Sequence, residues 1–244
     1  MTDLHCHILP GVDDGAARLS DALQMAEMAA QSGVSAIVAT PHCNLPYAGR
    51  PNYLDSDLMA RVVELRSAIE QAQIPLRLYA GAEVFCTPGV EELLAQKKLM
   101  TLAGSRYLLT EFYFDESVSF MDQCLSAIAA RGCIPVIAHP ERYEAIQASP
   151  ATVERWFATG YIIQLNKGSI LGSLGRRAQI CSEWILGQGL AHVVASDAHT
   201  PRVRTPHMYE IRRHLEDNCG PGYTRILLSA NPGRIVRDQS VIKA

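Results

Sequence analysis

The sequence predicts a single-domain α/β protein whose parallel strands close into a barrel or near-barrel. Short apolar, β-branched runs alternate repeatedly with longer stretches of helical period. Each short run is hydrophobic almost throughout, as strands covered on both faces are. Seven such runs fit into 244 residues, with no linker, low-complexity tract or internal repeat to divide them.

The first strand is read at Asp3–His7. A helix follows over SDALQMAEMAAQSG, with Ser20 placed to cap it, apolar residues at 22, 23, 26 and 29, and Gly33 placed to stop it. The remaining strands are Ser35–Thr40, Leu76–Glu83, Tyr107–Glu111, Ile134–His139, Ile162–Asn166 and His192–Ser196. Helical stretches run over about 55–72, 119–131, 150–159, 174–188 and 205–217. The longest irregular stretch, HCNLPYAGRPNY (His42–Tyr53), follows a strand directly and reads as a functional loop.

Composition narrows the partners. The formal charge is −3, with both signs interspersed, so no basic stripe exists for nucleic acid. No stretch approaches a membrane span and no targeting segment is visible. The seven cysteines are dispersed and form no C-x-x-C pair, which fits reduced thiols in the cytoplasm.

The chemistry gathers at strand ends. In the first strand, alternation puts His5 and His7 on one face and Leu4 and Cys6 on the other. After the second strand comes TPH, giving His42; the third ends in GAE, giving Glu83, and the fourth in TEF, giving Glu111. The fifth runs into HPER, giving His139, and the seventh into SDAH, giving Asp197 and His199. The sixth offers only Asn166. Asp13 or Asp14, just past the first strand, can join them.

Parallel barrels bring the carboxyl ends of their strands to one face, so these imidazoles and carboxylates are expected to meet there. A cluster of buried acids needs cations to exist. Eight or nine donors exceed one ion's needs, so two or three divalent ions are implied. Imidazole and carboxylate without thiolate suit Mn, Fe or Zn. Such clusters perform hydrolysis, most often of phosphate esters. Arg142 and Arg204 are placed to clamp phosphoryl oxygens, whereas Arg202 reads as a surface residue.

Several residues are set aside. CGPGYTR (Cys219–Arg225) matches the C-x5-R phosphate loop of cysteine-dependent phosphatases, but that loop must join a strand to a helix. Here MYEIRRHLEDN precedes it and reads as helix, so a Gly-Pro-Gly connector is expected. Cys6 reads as core filler and Cys43 as a candidate pocket residue. His192, His207 and His214 read as structural or exposed.

Taken together, DLHCHILPGVDDG, ATPH, GAE, LLTEF, VIAHPERY, QLNKGS, ASDAH and NPGRIVRDQ resemble the CpsB/YwqE-type protein-tyrosine phosphatases of the PHP (polymerase and histidinol phosphatase) superfamily. The motifs run in order from residue 3 to residue 239. The resemblance implies one PHP domain over 1–244, a distorted seven-stranded (β/α)7 TIM-like barrel. It also implies a trinuclear site, usually active with manganese. One ion would be held by His5, His7, Glu83 and Asp197. Glu83 would bridge to a second, completed by Glu111 and His139. Asp14, His42 and His199 would hold the third, and the choice of Asp14 over Asp13 comes from the resemblance alone. Arg142 and Arg204 match the phosphate-binding arginines. Cys43 departs from relatives that carry a basic residue there.

The implied reaction is in-line attack on phosphotyrosine by a hydroxide bridging the metals. The implied substrate is the tyrosine-rich tail of a bacterial tyrosine kinase that controls capsule or exopolysaccharide export. The alternative within the superfamily is a phosphoesterase acting on a small metabolite such as histidinol phosphate. Outside it stand a phosphatase using Cys219 and a non-catalytic metal-binding module.

Overall fold

The computed structural model describes residues 1–243. Among the described residues nine strands form two sheets, with every ladder parallel. The first sheet has the order β1 (Thr2–Cys6), β2 (Ala36–Ala39), β4 (Arg77–Ala80). The second has the order β3 (His42–Cys43), β5 (Glu83–Phe85), β6 (Tyr107–Glu111), β7 (Ile134–Ala138), β8 (Ile162–Asn166), β9 (Val193–Ala195).

Nine strands replace the seven expected because the second is followed, past its expected end at Thr40, by a short further strand, and the third is broken. Between β2 and β3 stands Pro41, which has no N–H to give to a ladder. The third breaks at Gly81–Ala82, where the backbone passes so near its neighbour that a Cβ on Gly81 would stand 2.8 Å from Val38 Cγ1. The two further strands, β3 and β5, pair with His42 opposite Glu83. No continuous ladder closes the two sheets into one barrel among the described residues. Along one seam, however, the His7 amide donates to the Ala198 carbonyl (2.8 Å) and the Asp197 amide to the His5 carbonyl (2.9 Å).

Helices alternate with the strands: α1 (Leu19–Gln31), α2 (Ser56–Gln71), α3 (Val90–Ala95), α4 (Val118–Ala130), α5 (Glu144–Ala148), α6 (Thr152–Thr159), α7 (Lys167–Ile170), α8 (Arg176–Gly187), α9 (Tyr209–Arg225) and α10 (Asn231–Ile235). Asp55 caps α2 by accepting from the Leu58 amide. Ser20 does not cap α1. That helix begins at Leu19 behind Arg18, which makes no side-chain cap, so Ser20 lies inside the first turn. The last long helix runs beyond its expected end at 217 to Arg225, interrupted only at Gly220 (φ +80°) ahead of Pro221.

Two apolar clusters fill the fold. The larger joins the strands to the surrounding helices. The smaller includes Leu4, Val38, Leu109, Val136 and Ile162. Leu109 and Ile162 each stand two residues before a polar residue, Glu111 and Gln164, so this cluster underlies the polar end of the same strand faces. A register shift between Asp3 and Cys6 separates Leu4, in the smaller cluster, from Cys6, in the larger. The shared face expected for Leu4 and Cys6 is therefore interrupted at this irregularity, while His5 and His7 still meet on one side, with their Nε2 atoms 3.2 Å apart.

Gly15 closes the turn that follows β1. A Cβ there would stand 2.1 Å from the His7 carbonyl oxygen and 2.5 Å from His7 Cβ. Backbone cannot give way as a flexible side chain can. Gly15→Ala is expected to destabilise the fold by about 1–3 kcal/mol, read as a lowered denaturant midpoint at unchanged slope.

Candidate metal centre

All nine residues expected as metal ligands meet at the carboxyl ends of the strands. Glu83 stands at the middle. Its Oε2 lies 3.1 Å from His5 Nε2, 3.2 Å from His7 Nε2 and 3.1 Å from His42 Nδ1, and its Oε1 lies 3.0 Å from His139 Nε2. His5 Nε2 and His7 Nε2 are 3.2 Å apart. Asp197 Oδ1 is 3.5 Å from both. Glu111 Oε1 lies 3.7 Å from His139 Nε2, and Asp14 Oδ1 lies 3.6 Å from His42 Nε2 and 3.5 Å from His199 Nε2.

Three sets of donor atoms lie close enough to share a cation: His5, His7 and Glu83; His42, Glu83 and Glu111; His7, Asp14, His42 and His199. Glu83 belongs to two of them.

The donor set fits cations better than it fits hydrogen bonds. Three imidazole nitrogens converge on one carboxylate oxygen. His42 Nδ1, although 3.1 Å from Glu83 Oε2 and 3.3 Å from Glu111 Oε2, lacks the alignment of a hydrogen bond, so that it and Glu111 Oε2 are both buried and unsatisfied. Native proteins rarely leave such groups orphaned. Metal ions would satisfy both at once.

Charge coupling inside the cluster is strong. Burial disfavours the His42 imidazolium, but Glu83 and Glu111 outweigh it and push the pKa up to about 10. Burial opposes charge on His7 too, yet bonds to Asp13, Asp197 and Glu83 raise its pKa well above the usual value. Glu83, also buried, is held well below the carboxylate range by His5 and His42. His199 goes the other way. Burial and the neighbouring His7 bring its pKa down to about 4.

Asp13 and Asp14 divide the work that sequence spacing left open between them. Asp13 turns inward, where Oδ2 lies 2.7 Å from His7 Nδ1 and accepts from the His42 amide (2.9 Å). Asp14 faces the cleft with its side chain 66% exposed. Asp13 thus orients a candidate ligand.

Strand β8 provides similar support. Gln164 Oε1 lies 3.0 Å from His5 Nδ1, and Asn166 Nδ2 donates to Asp197 Oδ2. The residue after it, Lys167, is buried. Its ammonium donates to the carbonyls of Thr205 and His207 (2.8 Å for the latter), fastening the segment that carries Arg204. The sequence reading missed Gln164 and Lys167. For Gln164 a signal existed: in IIQLN two amides share one face of an otherwise apolar, buried strand.

Both arginines reach the cluster. Arg204 pairs with Asp197 Oδ2, and Arg142 Nη1 lies 3.5 Å from the same oxygen. They line a cleft of about 280 Å³ together with Glu111, His139, Tyr113 and Phe114. The stretch after His42 borders this cleft through Leu45 and a second cavity through Ala48 and Arg50.

The residues set aside fall outside. Cys219 precedes a kink between helical segments rather than following a strand, and burial raises its thiol pKa, so it lacks a thiolate's reactivity. Cys6 is core filler as expected. Cys43 is 1% exposed and packs into the core instead of lining the cleft. The buried His192 accepts from the Ile163 amide (3.1 Å), while His207 and His214 are half-buried and Arg202 is exposed.

Parallel strands that deliver imidazoles and carboxylates to one cleft define the class: an α/β protein with a candidate polynuclear metal centre. The model of the family described as capsular polysaccharide synthesis, CpsB/CapC, matches residues 1–237. The chain belongs to that family. It is 33% identical to the tyrosine-protein phosphatase YwqE of Bacillus subtilis, over all of this chain and 94% of the relative. It is 29% identical to the tyrosine-protein phosphatase CpsB of Streptococcus pneumoniae, over 99% of this chain and all of the relative.

Among solved structures, one from a study of YwqE and CpsB as metal-dependent tyrosine phosphatases superposes with a TM-score of 0.93, at 33% identity. That match covers 100% of this chain and 97% of the other. The phosphotriesterase of Mycobacterium tuberculosis superposes at 0.63 with 13% identity, covering 99% of this chain and 94% of that one, a likeness of fold alone.

Metal ligation requires neutral imidazole, so a histidine held protonated must release its proton on binding. With a pKa pushed up to about 10, His42 carries a proton at pH 7, whereas His199, brought down to about 4, does not. Apparent metal affinity should therefore rise with pH between 6 and 9, about tenfold per unit for each proton released. Calorimetric titration of metal-free protein in buffers of different ionisation enthalpy counts those protons. Zero release at pH 7 would contradict the assignment of His42 as a ligand.

Proposed function

We propose that this protein hydrolyses phosphotyrosine in proteins, using divalent metal ions held by His5, His7, Asp14, His42, Glu83, Glu111, His139, Asp197 and His199. The observation that carries the reading is the convergence of His5, His7 and His42 on Glu83 Oε2, beside two arginines. The tyrosine phosphatase activity stated for the relatives supports the same reaction. Divalent ions held there would acidify a water and stabilise negative charge on the phosphoryl group.

The chain's own groups account for the rest. Arg142 and Arg204 both lean on Asp197, and an incoming phosphate dianion offers them oxygens in its place. Their N–H groups then donate to the equatorial oxygens as charge builds on them. The leaving phenolate has an ordinary pKa of about 10, so little general-acid help is needed.

The family's link to capsular polysaccharide synthesis supports a tyrosine-rich kinase tail as substrate. Manganese is the preferred ion in this reading, with iron or zinc able to occupy the same donors. All seven cysteines are free and no helix among the described residues is long and apolar enough to cross a membrane, which supports a reducing, cytoplasmic setting. We further read the three- and six-stranded sheets as arcs of one distorted seven-stranded (β/α)7 barrel, from the bonds joining β1 to the end of β9.

Paired variants test the reading. Glu83→Gln should lower metal content and turnover together, each by at least about tenfold. Arg142→Ala should keep its metal and slow turnover by about 10²–10³. Cys219→Ser should change neither. Full metal occupancy in the Glu83 variant, or turnover of histidinol phosphate in preference to a phosphotyrosyl peptide, would contradict the proposal.

A further inference from the structure

Phosphate capture uses the arginines and the metal donors, but one wall of the cleft is aromatic and takes no part in it. Tyr113 and Phe114, in the segment between β6 and α4, each remain 43% exposed while lining the cleft. Tyr113 stands edge-on to Phe85 with ring centres 4.6 Å apart. The Phe114 ring lies 4.4 Å from Arg142 Cζ and 6.1 Å from the His139 ring.

The backbone of this wall is tied down at two points. The Phe114 carbonyl accepts from the Glu144 amide (2.7 Å) and the Tyr113 carbonyl from the Glu116 amide (3.1 Å). The first bond ties the backbone of the wall to the segment just after Arg142, whose guanidinium lies over the Phe114 ring. A preformed apolar face spends little entropy on binding.

We propose that Phe114 and Tyr113 are specificity-determining residues that receive the aromatic ring of the substrate and so select aryl over alkyl phosphates. The inference rests on the phosphotyrosine reading above. A phosphoryl group gripped by Arg142 leaves the ester oxygen and its substituent beside the Phe114 ring. A phenyl ring attached there meets an aromatic surface in contact range. A serine phosphate has one methylene in that position and reaches neither ring. Ring–ring contacts prefer the offset and edge-on arrangements already present between Tyr113 and Phe85.

Non-hydrolysable ligands separate ring recognition from phosphate recognition. Dissociation constants of phenylphosphonate, methylphosphonate and inorganic phosphate are measured by calorimetry on the manganese-loaded enzyme. The wild type should bind phenylphosphonate more tightly than methylphosphonate. In Phe114→Ala and Tyr113→Ala that preference should shrink by about two- to tenfold, with phosphate binding changed by less than about twofold and metal content unchanged. Phe114→Leu, which keeps an apolar contact beside Arg142, should lose preference while retaining phosphate affinity.

Variants that keep the wild-type preference would overturn the proposal. So would a parallel weakening of all three ligands, since the rings would then serve only to hold Arg142. A wild type that hydrolyses phosphotyrosyl peptide without favouring phenylphosphonate would refute the wall and leave the function standing. A wild type that does neither would refute the function itself.

Discussion

The structure depends on keeping several ionisable groups buried around one carboxylate. Each charge removed from water costs several kcal/mol unless its partners compensate, and Glu83 Oε2 faces three imidazole nitrogens at once. One oxygen cannot accept well-aligned hydrogen bonds from all three rings while two of the nitrogens, His5 Nε2 and His7 Nε2, also stand 3.2 Å from each other. Ion pairing within the cluster offsets part of the cost, as the depressed pKa of Glu83 and the raised pKa of His42 record. Cations placed between the donors would offset the rest. Binding and stability are thus one problem in this fold.

The parallel architecture suits that problem because its strands end together. Apolar residues such as Leu109 and Ile162 fill the lower layer of the strand faces, and the donors stand one pleat above. Two of those strands end abruptly, with His139 at φ +36° and Asp197 at φ +50°. Left-handed backbone is unfavourable for residues with a Cβ and persists where the surroundings over-determine it. At Asp197 the surroundings are visible: Asn166 and two arginines hold the carboxylate, and the His5 carbonyl holds the amide.

Much of the site was legible in the sequence because donors at strand ends obey a simple geometric rule. His5 and His7 share a face, and His42, Glu83, Glu111, His139, Asp197 and His199 each follow an apolar run. What stayed illegible depends on turns and on tertiary context. Spacing cannot say which of Asp13 and Asp14 points inward; the Gly15 turn decides it. A lysine is normally exposed, so nothing in QLNKGS marks Lys167 as a buried anchor. The strand breaks at Pro41 and Gly81 arise from a missing donor and a tight backbone approach, which hydrophobicity does not record. Ser20 shows the converse case, a residue with the right chemistry for a cap that stands two positions inside the helix, since Arg18 occupies the cap.

Anomalous diffraction from crystals grown with manganese tests the central claim most directly. The account predicts at least two manganese peaks among these side chains, with Glu83 lying between a pair of them. A well-ordered crystal with Glu83 in the same cleft and no anomalous density around it, even at saturating manganese, would contradict the account.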